Sequence, residues 1–130
     1  ADSERDNFNE KCKILSDKLT NKIFELIPDS YLNGHSTNKL SNIVNFSFDG
    51  VEGEPILVGL DFAGIYASSG SACSSGSLDP SHVLIATGLN PRLAVGSIRF
   101  SLSPTNSIAE IDYVVKELAR IIKDLRKMGT

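Results

Sequence analysis

Cysteine and histidine are scarce in this chain, at two residues each in 130. Cys12 and Cys73 are too few to staple a small domain, and a lone pair of cysteines in an intracellular chain more often stays as free thiols. Neither His35 nor His82 stands at a ligand spacing from either cysteine, so no complete metal site is expected. Long apolar runs are missing too, which excludes a helical membrane span; no charged-then-apolar segment opens the chain, and a cytosolic location is expected. Basic residues are neither in excess nor clustered: 13 Lys and Arg against 16 Asp and Glu leave a formal charge of −3. A cationic face for nucleic acid is therefore not expected. No internal repeat is visible.

What remains is an ordinary globular composition, 41% hydrophobic and 22% charged, in a length that suits one domain with a single core. Phe8, Cys12, Leu15, Leu19, Ile23 and Leu26 recur at three and four residues, which predicts an amphipathic helix over Glu4–Ile27, stopped by Pro28 and Asp29. Cys12 falls on its apolar face and reads as a core residue. Asn33-Gly34 marks a polar turn, and Ile43–Phe48 reads as a strand ending at Asp49-Gly50. Pro55 at a first turn, then Ile56, Leu57 and Leu60, predict a short helix over Glu54–Phe62 with Gly64 as terminator. A brief strand is expected at Ile65–Ala67, and a helix capped by Asp79 with Pro80 at its first position over Ser81–Thr87. The alternation Ile98-Arg99-Phe100-Ser101-Leu102 predicts a strand with Arg99 and Ser101 on its polar face. Ser107 and Glu110 form a capping box for a last helix running to Lys127. Long helices bracketing a few strands predict an α+β fold, helices covering one face of a small, mainly antiparallel sheet.

Between the brief strand expected at Ile65–Ala67 and the helix capped by Asp79 runs Ala67-Ser68-Ser69-Gly70-Ser71-Ala72-Cys73-Ser74-Ser75-Gly76-Ser77. Nothing within four residues of Cys73 is large and apolar enough to bury it, so its sulfur is expected to face solvent or a ligand. A flexible linker is the plain alternative, but both flanks belong to one small domain, and function concentrates on loops held by a rigid scaffold. The stretch lacks the Gly-Lys-Ser/Thr ending of a P-loop and the Gly-x-Gly-x-x-Gly of a dinucleotide turn. Thiol chemistry requires the thiolate, yet no Lys, Arg or His lies in the loop to favour it. The helix after Asp79 offers only a weak dipole. His82 reads as a packing or surface residue, not a general base. For Arg99 two readings stand side by side: an exposed strand arginine in a surface ion pair, or a guanidinium fork matched to a carboxylate.

Ser68-Ser69-Gly70-Ser71-Ala72-Cys73, Leu78-Asp79-Pro80-Ser81-His82-Val83-Leu84 and Ser97-Ile98-Arg99-Phe100-Ser101-Leu102 closely resemble the C-terminal part of cysteine desulfurases, the group with the long cysteine loop. The likeness extends through Asn45–Phe48, Gly50–Glu54 and Glu110–Tyr113 and so covers nearly the whole chain. It implies a pyridoxal 5'-phosphate enzyme of the class-V aminotransferase type, which converts L-cysteine to L-alanine and carries the sulfur as a persulfide. In that resemblance Cys73 matches the persulfide cysteine and Arg99 the arginine that holds the substrate carboxylate. No part of the chain resembles the family's large domain, where the Schiff-base lysine and the cofactor's phosphate ligands reside. The chain is thus expected to be the small C-terminal domain, residues 1–130, inactive alone, with no cofactor-binding residue of its own. The implied partners are L-cysteine, an iron–sulfur scaffold or other sulfur acceptor, the large domain and, for the whole protein, a second copy in a homodimer. Two readings from other classes remain open: a free-standing persulfide carrier, and a thiol-redox protein using Cys73, for which no resolving thiol is evident.

Overall fold

The computed structural model describes residues 2–33, 42–69 and 95–129. Helix α1 spans Asp2–Leu26 and buries Cys12, Leu15, Leu19, Ile23 and, just past its end, Ile27. Leu26, expected on this stripe, is exposed because Ile27, four residues after Ile23, takes the inward position. Phe8 is exposed as well. Lys22 of α1 pairs with Asp112 near the start of the last helix at 2.9 Å, and Leu26–Pro28 line a groove with residues of that helix's second half. The two helices therefore run side by side in the same direction, and the first turns of α1 extend past the start of its neighbour.

That neighbour, α3, spans Ile108–Met128. Its start is fixed by the expected capping box: the Glu110 amide donates to Ser107 Oγ at 3.1 Å and the Ser107 amide donates to Glu110 Oε1 at 2.8 Å, which satisfies two amides that have no partner within the helix. Ile111, Val115, Leu118, Ile121 and Ile122 form its buried face. Helix α2, Gly53–Phe62, turns Ile56 and Leu60 inward and ends at Ala63, followed by Gly64 at φ 79°, a left-handed conformation that glycine adopts without a Cβ clash.

Among the described residues four strands form one sheet in the order β1-β2-β4-β3: β1 Ser30–Asn33, β2 Ile43–Phe48, β3 Ser68–Ser69 and β4 Ser97–Ser101. Every neighbouring pair is antiparallel. Val44, Phe46, Phe48, Ile98, Phe100 and Leu102 share one hydrophobic cluster with the inward residues of all three described helices. The α+β arrangement with helices on one sheet face is therefore as expected.

Two expectations about strands change. Ile65–Ala67 is not a strand: the Ile65 amide donates back to Leu60 O at 2.8 Å, finishing α2, and pairing with β4 begins only at Ser68. Strand β1 is unexpected and takes in Asn33 of the expected Asn33-Gly34 turn, because Asp29 at φ 54° reverses the chain so that Ser30 pairs opposite Phe48; Gly34 lies outside the described residues. Arg126 fastens this corner, donating to the carbonyls of Asp49, Pro28 and Asp29 at 3.1, 2.8 and 3.2 Å. The expected helix after Asp79, most of the Cys73 loop, His35 and His82 lie outside the described residues.

Candidate functional site

Strand alternation that sends Ile98 and Phe100 into the core sends Ser97, Arg99 and Ser101 to the opposite face. Register places Asn45 and Ser68 directly across from Arg99, on either side. Asn33 stands opposite Asn45, and Ser47 opposite Ser97. The face away from the helices is thus lined by small polar side chains around one guanidinium.

These groups bond to each other. Asn33 Nδ2 donates to Ser47 Oγ at 2.7 Å and to Asn45 Oδ1 at 3.3 Å. Ser47 Oγ and Ser97 Oγ are 2.9 Å apart in a hydrogen bond, and both serines are buried. No buried side-chain nitrogen or oxygen among the described residues lacks a partner. A buried hydroxyl is tolerated when bonded in this way, and the network holds β1, β2 and β4 in one register.

Arg99 is half-buried. Its Nε donates to Ser68 Oγ at 3.2 Å, and among the described residues no carboxylate lies within ion-pair distance of it. The cation is therefore positioned by a neutral hydroxyl from the strand that leads into the cysteine loop. Of the two expected readings, a surface ion pair is not what the described residues show. Ser68 as the partner of Arg99 was not legible in the sequence, since only the β3–β4 register reveals it.

Cys73 lies outside the described residues. Cys12 is fully buried in α1, and burial pushes its thiol up from the usual range, which disfavours the reactive thiolate. It stands as the core residue expected. Lys22 and Asp112 perturb each other: their hydrogen bond holds the Lys22 ammonium above its usual range and the Asp112 carboxyl below its own. Arg120 is likewise raised, chiefly by its hydrogen bond to Glu117. Both clusters lie on the helices, across the sheet from Arg99. Among the described residues no group of His, Cys, Asp and Glu could hold a metal ion, and no helix is long and apolar enough to cross a membrane.

The family model described as aminotransferase class-V matches residues 2–114. A protein named cysteine desulfurase IscS from Clostridium botulinum is 49% identical over 123 residues, covering 93% of this chain and 31% of the relative. A protein named cysteine desulfurase 2 from Trichormus variabilis is 50% identical over 117 residues, covering 90% of this chain and 29% of its own length. The chain therefore spans about a third of the length of these curated relatives. Among solved structures, one titled NifS-like protein superposes with a TM-score of 0.78 at 27% identity, covering 94% of this chain and 30% of that one. A NifS-like protein from Rickettsia africae gives 0.75 at 27% identity, covering 89% and 29%. By the extent of the family match and by these relatives in sequence and structure, this chain belongs to the class-V aminotransferase family.

Proposed function

We propose that residues 1–130 are the small C-terminal domain of a cytoplasmic, pyridoxal 5'-phosphate-dependent cysteine desulfurase. In the net reaction L-cysteine and the Cys73 thiol yield L-alanine and a Cys73 persulfide, which passes its outer sulfur to an iron–sulfur scaffold or another acceptor. The observation that carries this reading is the place of Arg99. It stands on the polar sheet face, tied to Ser68, at the root of the segment that bears Cys73. Three residues separate Ser69 from Cys73, so covalent geometry alone, over four Cα–Cα steps, confines the Cys73 Cα to within about 14 Å of that of Ser69. A fork that grips a substrate's acid end and a thiol that takes its sulfur are thereby kept within one pocket's reach.

Arg99 presents parallel N–H groups suited to a carboxylate, which fixes the amino acid's orientation and leaves its sulfur to the Cys73 side. The polar network beneath Arg99 holds its strand in place. The described residues do not fit the cofactor itself. All the described lysines belong to α1 and α3, across the sheet from Arg99, so none is placed to form a Schiff base beside it. In this reading the cofactor belongs to the large domain.

The test uses the whole enzyme containing this chain, loaded with pyridoxal 5'-phosphate and given L-cysteine. Cys73→Ser is expected to abolish steady alanine formation, and the isolated chain is expected to form none. Sustained turnover by Cys73→Ser, or by the isolated chain, would overturn the assignment.

A further inference from the structure

A guanidinium offers a carboxylate two edges: the side edge, made of Nε and one Nη, and the end edge, made of both Nη atoms. Each supplies two parallel N–H bonds. Free in a pocket, an arginine can use either, and the two modes place the bound acid differently. In this chain the choice is constrained. Ser68 Oγ accepts from Arg99 Nε at 3.2 Å, and it does so from the position directly opposite on the neighbouring strand. The side edge is therefore taken, and among the described residues the end edge is the one left to a ligand.

Chemistry favours serine for this task. A carboxylate at position 68 would also accept from Nε, but it would neutralise the cation that must attract the substrate. A hydroxyl orients without neutralising, and a half-buried side chain of two heavy atoms on a paired strand loses little freedom in holding that orientation. Ser68 also begins the strand that runs on toward Cys73, so one two-residue strand sets both the angle of the fork and the starting point of the thiol's tether.

We propose that Ser68 is a positioning residue: by occupying Arg99 Nε it presents the Nη edge of Arg99 to the carboxylate of the amino-acid substrate and so sets the preference for a free acid. This rests on the reading of Arg99 as the carboxylate clamp. The experiment compares kcat/KM for L-cysteine and for L-cysteine methyl ester in the whole enzyme loaded with pyridoxal 5'-phosphate, with Ser68→Ala, Ser68→Thr and Arg99→Ala beside the parent. Ser68→Ala is expected to lower the acid-to-ester ratio about tenfold, through KM for the acid, as fits a lost orienting bond to a charged group. Ser68→Thr, which keeps the hydroxyl, is expected to restore it. A merely structural role would lower both substrates together and leave the ratio unchanged, and that result would overturn the proposal. Arg99→Ala separates the two levels. If it removes the ratio while Ser68→Ala preserves it, the role of Ser68 alone is refuted; if it leaves the ratio intact, the clamp and the proposal built on it both fall.

Discussion

Replacing Gly96 by alanine should unseat the strand that carries Arg99. A Cβ at Gly96 would clash with Phe48 O and stand 2.7 Å from Val51 O, both backbone atoms, which cannot swing aside as a side chain would. Relief requires the β4 entry to move away from the end of β2. That movement breaks Phe48 N–H to Gly96 O at 3.1 Å and Gly53 N–H to Val95 O at 2.7 Å. Two backbone bonds at about 1 kcal/mol each, plus the desolvation of groups left unpaired, give a cost of about 3 kcal/mol. That is a large share of the roughly 5–15 kcal/mol that holds a domain folded. Urea unfolding of the chain followed by circular dichroism should show the midpoint falling by about 1.5 M for a slope of about 2 kcal/mol/M. Gly50→Ala is the control: its Cβ would meet nothing within 4 Å, but its φ is +83°, so only about 1–2 kcal/mol of left-handed strain is expected. A midpoint for Gly96→Ala no lower than that of Gly50→Ala would refute the close-approach argument.

Three further outcomes are expected. Ser107→Ala removes half of the capping box and should cost about 1 kcal/mol in urea unfolding; an unchanged midpoint would contradict it. The Lys22–Asp112 pair should give a two-sided pH signature. With its pKa lowered, Asp112 contributes stability above the ordinary carboxylate range, lost as acid titrates through the lowered value. With its pKa raised, Lys22 contributes below the ordinary lysine range, and that is lost as alkali passes the raised value. The stability difference between the parent and Asp112→Asn should therefore be greatest near neutrality and shrink at both extremes and in high salt; a difference independent of pH would count against the pair. Cys12, buried and with its thiol pushed up, should resist a disulfide reagent until urea unfolds the chain; modification at a free-thiol rate in the folded chain would contradict its core position.

Elements whose signals are local were legible from residue order. The stripe from Cys12 to Ile23 needs only helical periodicity, the α3 start only Ser107 and Glu110, and β4 only its alternation. Elements defined by distant partners were not. Ser30-Tyr31-Leu32-Asn33 has no apolar alternation, and it becomes a strand because Asp29 turns it against β2. Ile65–Ala67 looks more strand-like than Ser68–Ser69, yet the backbone pairs at the serines because Ile65 is still closing α2. The same limit applies at the site. Arg99 stood out by composition and position, whereas the buried Ser47–Ser97 bond and the hold of Ser68 on Arg99 depend on cross-strand register, which serines do not announce.

The central claim, that Cys73 beside the Arg99 clamp takes the sulfur, is tested most directly by locating that sulfur. The whole enzyme would be treated with L-cysteine, alkylated, digested and mapped by mass spectrometry. The account predicts one added sulfur atom, removable by a thiol reductant, on the peptide containing Cys73, with Cys12 unmodified and the adduct lost in Arg99→Ala at low cysteine concentration. Sulfur found on Cys12, or on neither cysteine while alanine accumulates, would contradict it.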